Sequence, residues 1–297
     1  MPYEMPTLPT NGLVGHVGPL VDAHGGHVDP RFAEVVATLP NVEHVFLLPF
    51  TTSQGKVDRG IDVGEFSAAL GRSPTKSHLQ ERLKALLQFD HWNCIVNPAR
   101  ASLEVIRPSH IGSSTGLCAT SNLRSPATRM VGSQLSSDHR VGLYPFDYEW
   151  QRSLRFIGAT ADQTLLAVDY EAGMLSFVTR CEGQDIPNIS SLLWSTAMTP
   201  LDSISRDEYP TALNFSDDVP IFLTTDPQYE FNHTSFNNLL ALPRHNAEIP
   251  LGSLITVGYT AVTFPYDSSP IPETRAFTLN VQFVLLHSYP PQSSSSA

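Results

Sequence analysis

The chain has 297 residues, of which 41% are hydrophobic and 16% charged, and its net charge is −11. Soluble domains average about 25% charged residues, so much of this surface is expected to lie against partner subunits rather than water, and little positive charge is left over for a polyanion. No run approaches the roughly 18 to 20 apolar residues of a membrane span, MPYEMPTLPTNG has neither the basic nor the apolar part of a signal peptide, and Cys94, Cys118 and Cys181 form no paired framework; the expectation is a protein made in the cytosol with free thiols and no membrane span.

In chain order, the first feature is HVGPLVDAHGGHVDP, residues 16–30, where three histidines and two aspartates crowd fifteen positions. A zinc site needs three or four ligands held at about 2.0–2.2 Å by rigid elements. His24-Gly25-Gly26-His27 is a turn, and no second His, Cys or Glu cluster follows to complete a shell, so no metal is expected and the stretch reads as a polar loop. Asp29 caps the segment that follows, DPRFAEVVATL, with Pro30 in the first helical position and Phe32, Val35, Val36 and Leu39 on one face. SHLQERLKALLQF repeats the pattern, with Ser77 and Gln80 as a capping box and Leu79, Leu83, Leu86 and Leu87 as its apolar face.

Beyond residue 90 the helical period gives way to apolar runs of strand length. The predicted strands are VEHVFLLPF ahead of the second helix, then CIVNPARASLEVI, HRVGLYPF, RSLRFIGAT, TLLAVDYEA, MLSFVTRC, SSLLWSTAM, VPIFLTTD, GSLITVGYTAVTF and RAFTLNVQFVLLHS. With 24 Pro and 18 Gly clustered between them, these runs predict a mainly β fold, a double-sheet sandwich or barrel with short covering helices. The tail PPQSSSSA reads as extended.

Charge is unevenly spread: residues 1–71 carry 3 basic and 8 acidic groups, 72–155 carry 11 and 6, and 156–297 carry 4 and 15. Fifteen of the 18 basic residues are Arg, whose planar fork suits carboxylate and phosphate alike. Arg100, Arg107, Arg124 and Arg129, together with Arg140, lie in a Ser/Thr/Gly-rich middle segment and are the candidates for contact with an RNA backbone or with the acidic part of a neighbouring subunit. Catalytic signatures are missing: there is no GxSxG, GxxxxGK[ST], GxGxxG at a strand–helix junction or HExxH. Asp207-Glu208 and Asp217-Asp218 read as solvated loop carboxylates. No enzyme activity, catalytic residue or cofactor is expected.

WQRSLRFIGATADQTLLAVDYEAG, a Pro-rich connection before VPIFLTTD, and the late pair GSLITVGYTAVTF and FTLNVQFVLLHS with a short tail resemble, over roughly residues 140 to 290, the capsid proteins of picorna-like small icosahedral RNA viruses. In that family an aromatic-rich turn, here FDYEWQRSLRF, precedes a strand. The resemblance implies an eight-stranded antiparallel jelly-roll sandwich over residues 91–288, an N-terminal extension over 1–90 with two short helices and a first strand, and a C-terminal tail over 289–297. It further implies a structural protein of the virion, assembled in the host cytoplasm with related capsid subunits around an RNA genome. The first thirty residues hold no Lys or Arg, which fits the branch without a basic arm. Two other classes stay open: a β-sandwich carbohydrate-type binding module with Trp150, Trp194 and Tyr209 as a stacking platform, and a metal-dependent enzyme using the 16–30 segment.

Overall fold

The two late strands have the clearest physical origin: β-branched and aromatic residues fill 254–265 and 275–288, and alternate side chains find apolar neighbours on both faces. In a computed structural model, which describes residues 48–49, 61, 63–92, 95–101, 111–131, 134–146, 149–160, 166–171, 174–185, 212–232, 235–265 and 275–290, they form a long antiparallel hairpin. Ten strands among the described residues join one hydrogen-bonded sheet: β1 Leu48–Pro49, β2 His91–Trp92, β3 Ile95–Val96, β4 Ile111–Val131, β5 Gln134–Pro145, β6 Leu166–Glu171, β7 Met174–Val178, β8 Ile221–Leu223, β9 Leu254–Pro265 and β10 Arg275–Ser288. Among the described residues three α-helices accompany them, α1 Val63–Arg72, α2 Ser77–Gln88 and α3 Glu149–Thr160, with a 3-10 turn over Ser235–Ala241.

The fold is mainly β, as expected, but its described strands close into a five-membered barrel. β4 pairs antiparallel with β9 through Gly112–Leu117 and with β5 from Gly116 onward. β5 pairs with β7, β7 runs parallel to β10 at Phe177 and Leu279, and β10 returns to β9. Two facing sheets, as in the eight-stranded jelly roll, are not clearly separated among the described residues, where β4 is bonded along both edges and the β7–β10 contact closes the ring. β1 and β6 flank β10 on one side, and β2 and β3 continue from β4 on the other.

Val141, Leu143, Phe177, Val257, Tyr259 and Val281 fill the barrel, none more than 2% exposed, and Ile157 of α3 joins them. A second cluster outside the barrel stacks Phe222, Phe283 and Leu285 against Phe89, Phe231 and Phe236, and a third seats Leu70, Leu79, Leu83 and Leu87 of α1 and α2 on Phe146 and Leu254. A fully buried side chain of this size is worth about 1.5–3 kcal/mol, so these clusters, and not the two-residue strands at the sheet's edges, dominate stability.

Several local expectations change. RSLRFIGAT is helical: Trp150, Leu154 and Ile157 recur in the sequence at helical spacing, and Ile157 is buried in the barrel core. The described part of CIVNPARASLEVI, residues 95–101, has two strand residues and then turns, with Asn97 Oδ1 accepting the Ala99 N–H at 3.0 Å beside Pro98. α2 begins at Ser77 itself after Lys76, without a side-chain cap, so Ser77 and Gln80 do not form a capping box. The predicted helix over 29–39 and strand over 190–198 lie outside the described residues. No described helix is long and apolar enough to cross a membrane.

Candidate functional site

Three of the four arginines selected by charge are described, and the fold gives each a partner in its own chain. Arg100 Nε donates to the Leu87 carbonyl at 2.6 Å, and its Nη2 pairs with the Glu149 carboxylate. Arg124 pairs through Nη1 with Asp218 and donates to the carbonyls of Val219 and His245, each at 2.9 Å. Arg129 Nε lies 3.2 Å from Asp138 Oδ2, a fully buried carboxylate that Arg140 also grips with bonds of 2.5–2.8 Å. Arg107, the 16–30 segment, Trp194, Tyr209 and Asp207-Glu208 lie outside the described residues. The arginines thus belong to three different places in the fold. Asp217 accepts the Asn214 N–H at 2.7 Å, while Asp218, paired with Arg124, keeps its side chain 75% exposed, as expected of a solvated loop carboxylate.

Arg124 stands in a bulge of β4, between Asn122 and Ala127. Glu248 organises that bulge: its two oxygens accept the Ser121 hydroxyl at 2.5 Å and the N–H groups of Leu123, Arg124 and Ser125 at 2.7–2.9 Å. Burial alone would raise the Glu248 pKa; the four donors outweigh it and hold the carboxyl below its ordinary range.

A small polar pocket sits where α2, the Asn97–Ala101 turn, the start of β4 and α3 converge. Asn97, Ser114, Thr115, Glu149 and Ser153 line it together with Leu87, Pro145 and Leu175, and its volume of about 10 Å³ is room for one water molecule at most. Burial pushes the Glu149 carboxyl up to about 7, and Arg100 reverses only part of that rise. From the pocket wall a chain of buried polar groups runs inward: Thr115 Oγ1 to Thr256 Oγ1 at 2.8 Å, Thr256 to His287 Nε2 at 2.9 Å, and His287 Nδ1 to Thr224 Oγ1 at 2.8 Å. Desolvation lowers the His287 pKa to about 3, so the ring is neutral and serves as a structural bridge between β8, β9 and β10. Charge counting missed Glu149; the cue in the sequence was a lone acid at the head of the amphipathic stretch EWQRSLRFI.

The surface carries apolar groups as well. The β4–β5 hairpin runs past the bulge to Val131 and Gln134, and Leu135 near its end is 74% exposed. Phe264, near the end of β9, is 43% exposed. A groove of about 600 Å³ beside α1 is lined by Ile61, Phe66 and Ala69 and edged by Glu65 and Arg72. Burial pushes the Cys118 thiol up to about 12, which makes it a poor nucleophile. Among the described residues no three His, Cys, Asp or Glu side chains gather as a metal shell. Neither a family model, nor a curated protein, nor a solved structure matches the chain.

Proposed function

We propose that the chain is a structural subunit that assembles with copies of itself and related chains into an icosahedral shell around an RNA genome, in virions formed in the host cytoplasm. The observation that carries this reading is the exposed Leu135 on a hairpin projecting past a rigid barrel, in a chain that also presents a concave apolar groove at Ile61, Phe66 and Ala69. A knob and a hole on one molecule make head-to-tail contacts that close when the rotation between copies is right. The eight-stranded jelly roll is the finer form of the proposal; it draws support from the mainly β content and the antiparallel pairing of β4, β5, β9 and β10. The pairing of Arg100, Arg124 and Arg129 within the chain favours a container held by protein contacts over one held by these arginines on phosphate.

The test is light scattering and negative-stain microscopy of the purified chain, co-expressed with any related subunits. Wild type is expected as megadalton particles, and Leu135→Asp as monomers or small oligomers with a stability change within about 0.5 kcal/mol, since the site is on the surface. Wild-type material that stays monomeric under all assembly conditions would overturn the proposal. A second reading has its own observation: a five-stranded barrel is also the frame of OB-fold modules, which bind oligonucleotides and oligosaccharides on their sheet face, and Tyr144 on β5 is 37% exposed. Salt-sensitive binding of labelled single-stranded RNA or oligosaccharide to the monomer, lost in Tyr144→Ala, would favour it.

A further inference from the structure

Arg100 ties two helices together. Its Nε holds the Leu87 carbonyl near the end of α2, and its Nη2 holds Glu149, the first residue of α3. The Glu149 side chain is 13% exposed, and its carboxylate is treated very differently from that of Glu248. Glu248 receives three backbone N–H groups and a hydroxyl, whereas the described donor to the Glu149 carboxylate is Arg100 alone. A buried carboxylate with so few donors is costly when ionised and much less so when protonated.

Among the described residues, few groups face Glu149. The 97–101 turn contributes Arg100 and the neutral Asn97, β4 contributes the hydroxyls of Ser114 and Thr115, and α2, the end of β5 and β7 contribute Leu87, Pro145 and Leu175. Arg152 lies one turn along α3 itself. The Tyr259 phenol, reached through Ser114 at 3.2 Å, is held at about 12 by burial, and His287 touches the pocket wall only through Thr256 and Thr115.

We propose that Glu149 is a proton-operated latch: protonated, it stays seated in the pocket and holds the start of α3 on the barrel, and ionised, it favours release into water and opens the seam between α2 and α3. The sign follows from the linkage. The seated carboxyl has its pKa raised to about 7 from an ordinary 4.5, so the seated state gains stability as pH falls from 7 to 4.5, loses it as pH rises through that window, and changes no further above it. In an assembling protein the same step would loosen this seam at neutral pH and tighten it in acid. The latch does not depend on the shell reading.

The experiment is hydrogen–deuterium exchange of Glu149–Thr160 in the intact chain between pH 5 and 8, corrected for the intrinsic pH dependence of exchange. Local opening in wild type is expected to rise by up to about 100-fold from pH 5 to 7 and then level off, because one released proton gives about tenfold per pH unit. Glu149→Gln should give a flat profile, and Arg100→Gln, which removes the counter-charge, should carry the rise to higher pH. Carbon-13 NMR of the glutamate carboxyls in wild type checks the same claim without any substitution, and one carboxyl should titrate near pH 7. A flat wild-type profile, an unchanged rise in Glu149→Gln, or all observed glutamates titrating in the ordinary carboxylate range would each overturn the proposal.

Discussion

Gly258 shows how tightly the barrel wall and the aromatic cluster are fitted. A Cβ built there would come within 2.2 Å of the Phe283 ring, and one at Gly112 within 2.7 Å of the Tyr259 ring. Both glycines therefore supply room rather than an unusual backbone angle. Phe283 is fully buried among Phe222, Phe236 and Leu285 and cannot swing aside without displacing them. Gly258→Ala is accordingly expected to cost about 1–3 kcal/mol by overpacking, seen as a lower urea midpoint at unchanged slope. Gly258 and Phe283 were visible in the sequence as members of two strands, but their facing was not. A bulge between Val281 and Phe283 shifts the register, so Val281 enters the barrel while Phe283 and Leu285 join the outer cluster.

Among the elements, those whose composition announces them were legible. β10 was expected over RAFTLNVQFVLLHS and occupies Arg275–Ser288; β9 and α2 also fall where periodicity placed them. β4, the strand that joins both halves of the barrel, was not, because IGSSTGLCATSNLRSPATRMV carries Ser, Thr and Gly where alternation would be sought. Small side chains suit it: Thr115 meets Thr256 across the β9 seam, and Gly116 lies under the Tyr144 carbonyl. α1 was missed for a similar reason, since two glycines dilute VGEFSAALGR. The bulge in β4 depends on a residue more than a hundred positions away, Glu248, so no local signal could have given it. Glu248→Ala leaves three N–H groups without their acceptor. We expect it to cost about 2 kcal/mol and to raise amide exchange at Leu123, Arg124 and Ser125, with the rest of β4 still protected.

For the whole molecule, two buried titratable groups act in opposite directions as the solution is acidified. His287 is neutral in the fold, with its pKa lowered from 6.5 to about 3 by burial; its contribution is present above pH 6.5 and is lost as pH falls toward 3. Glu149 has the raised value, and its contribution grows as pH falls from 7 to 4.5. Over the shared range the two largely cancel. Glu149→Gln removes one side of that balance, so its global stability should fall behind wild type by about 1 kcal/mol for each pH unit between 6.5 and 5, measured by urea titrations at matched pH. Parallel loss in both proteins would show that Glu149 does not titrate in this window. The sequence indicated a β-rich framework whose parts need one another, but not the closure itself, since the decisive contact joins Phe177 to Leu279. That contact sets a schedule for synthesis. The strand that seals the barrel, Arg275–Ser288, is the last of the described strands in chain order, so a ribosome releases every other wall of the barrel before the one that shuts them. Until then β7 and β9 present open edges, and such edges invite pairing with other chains. A nascent copy is therefore most exposed to its neighbours just before this strand emerges, and quick closure decides whether it matures or aggregates.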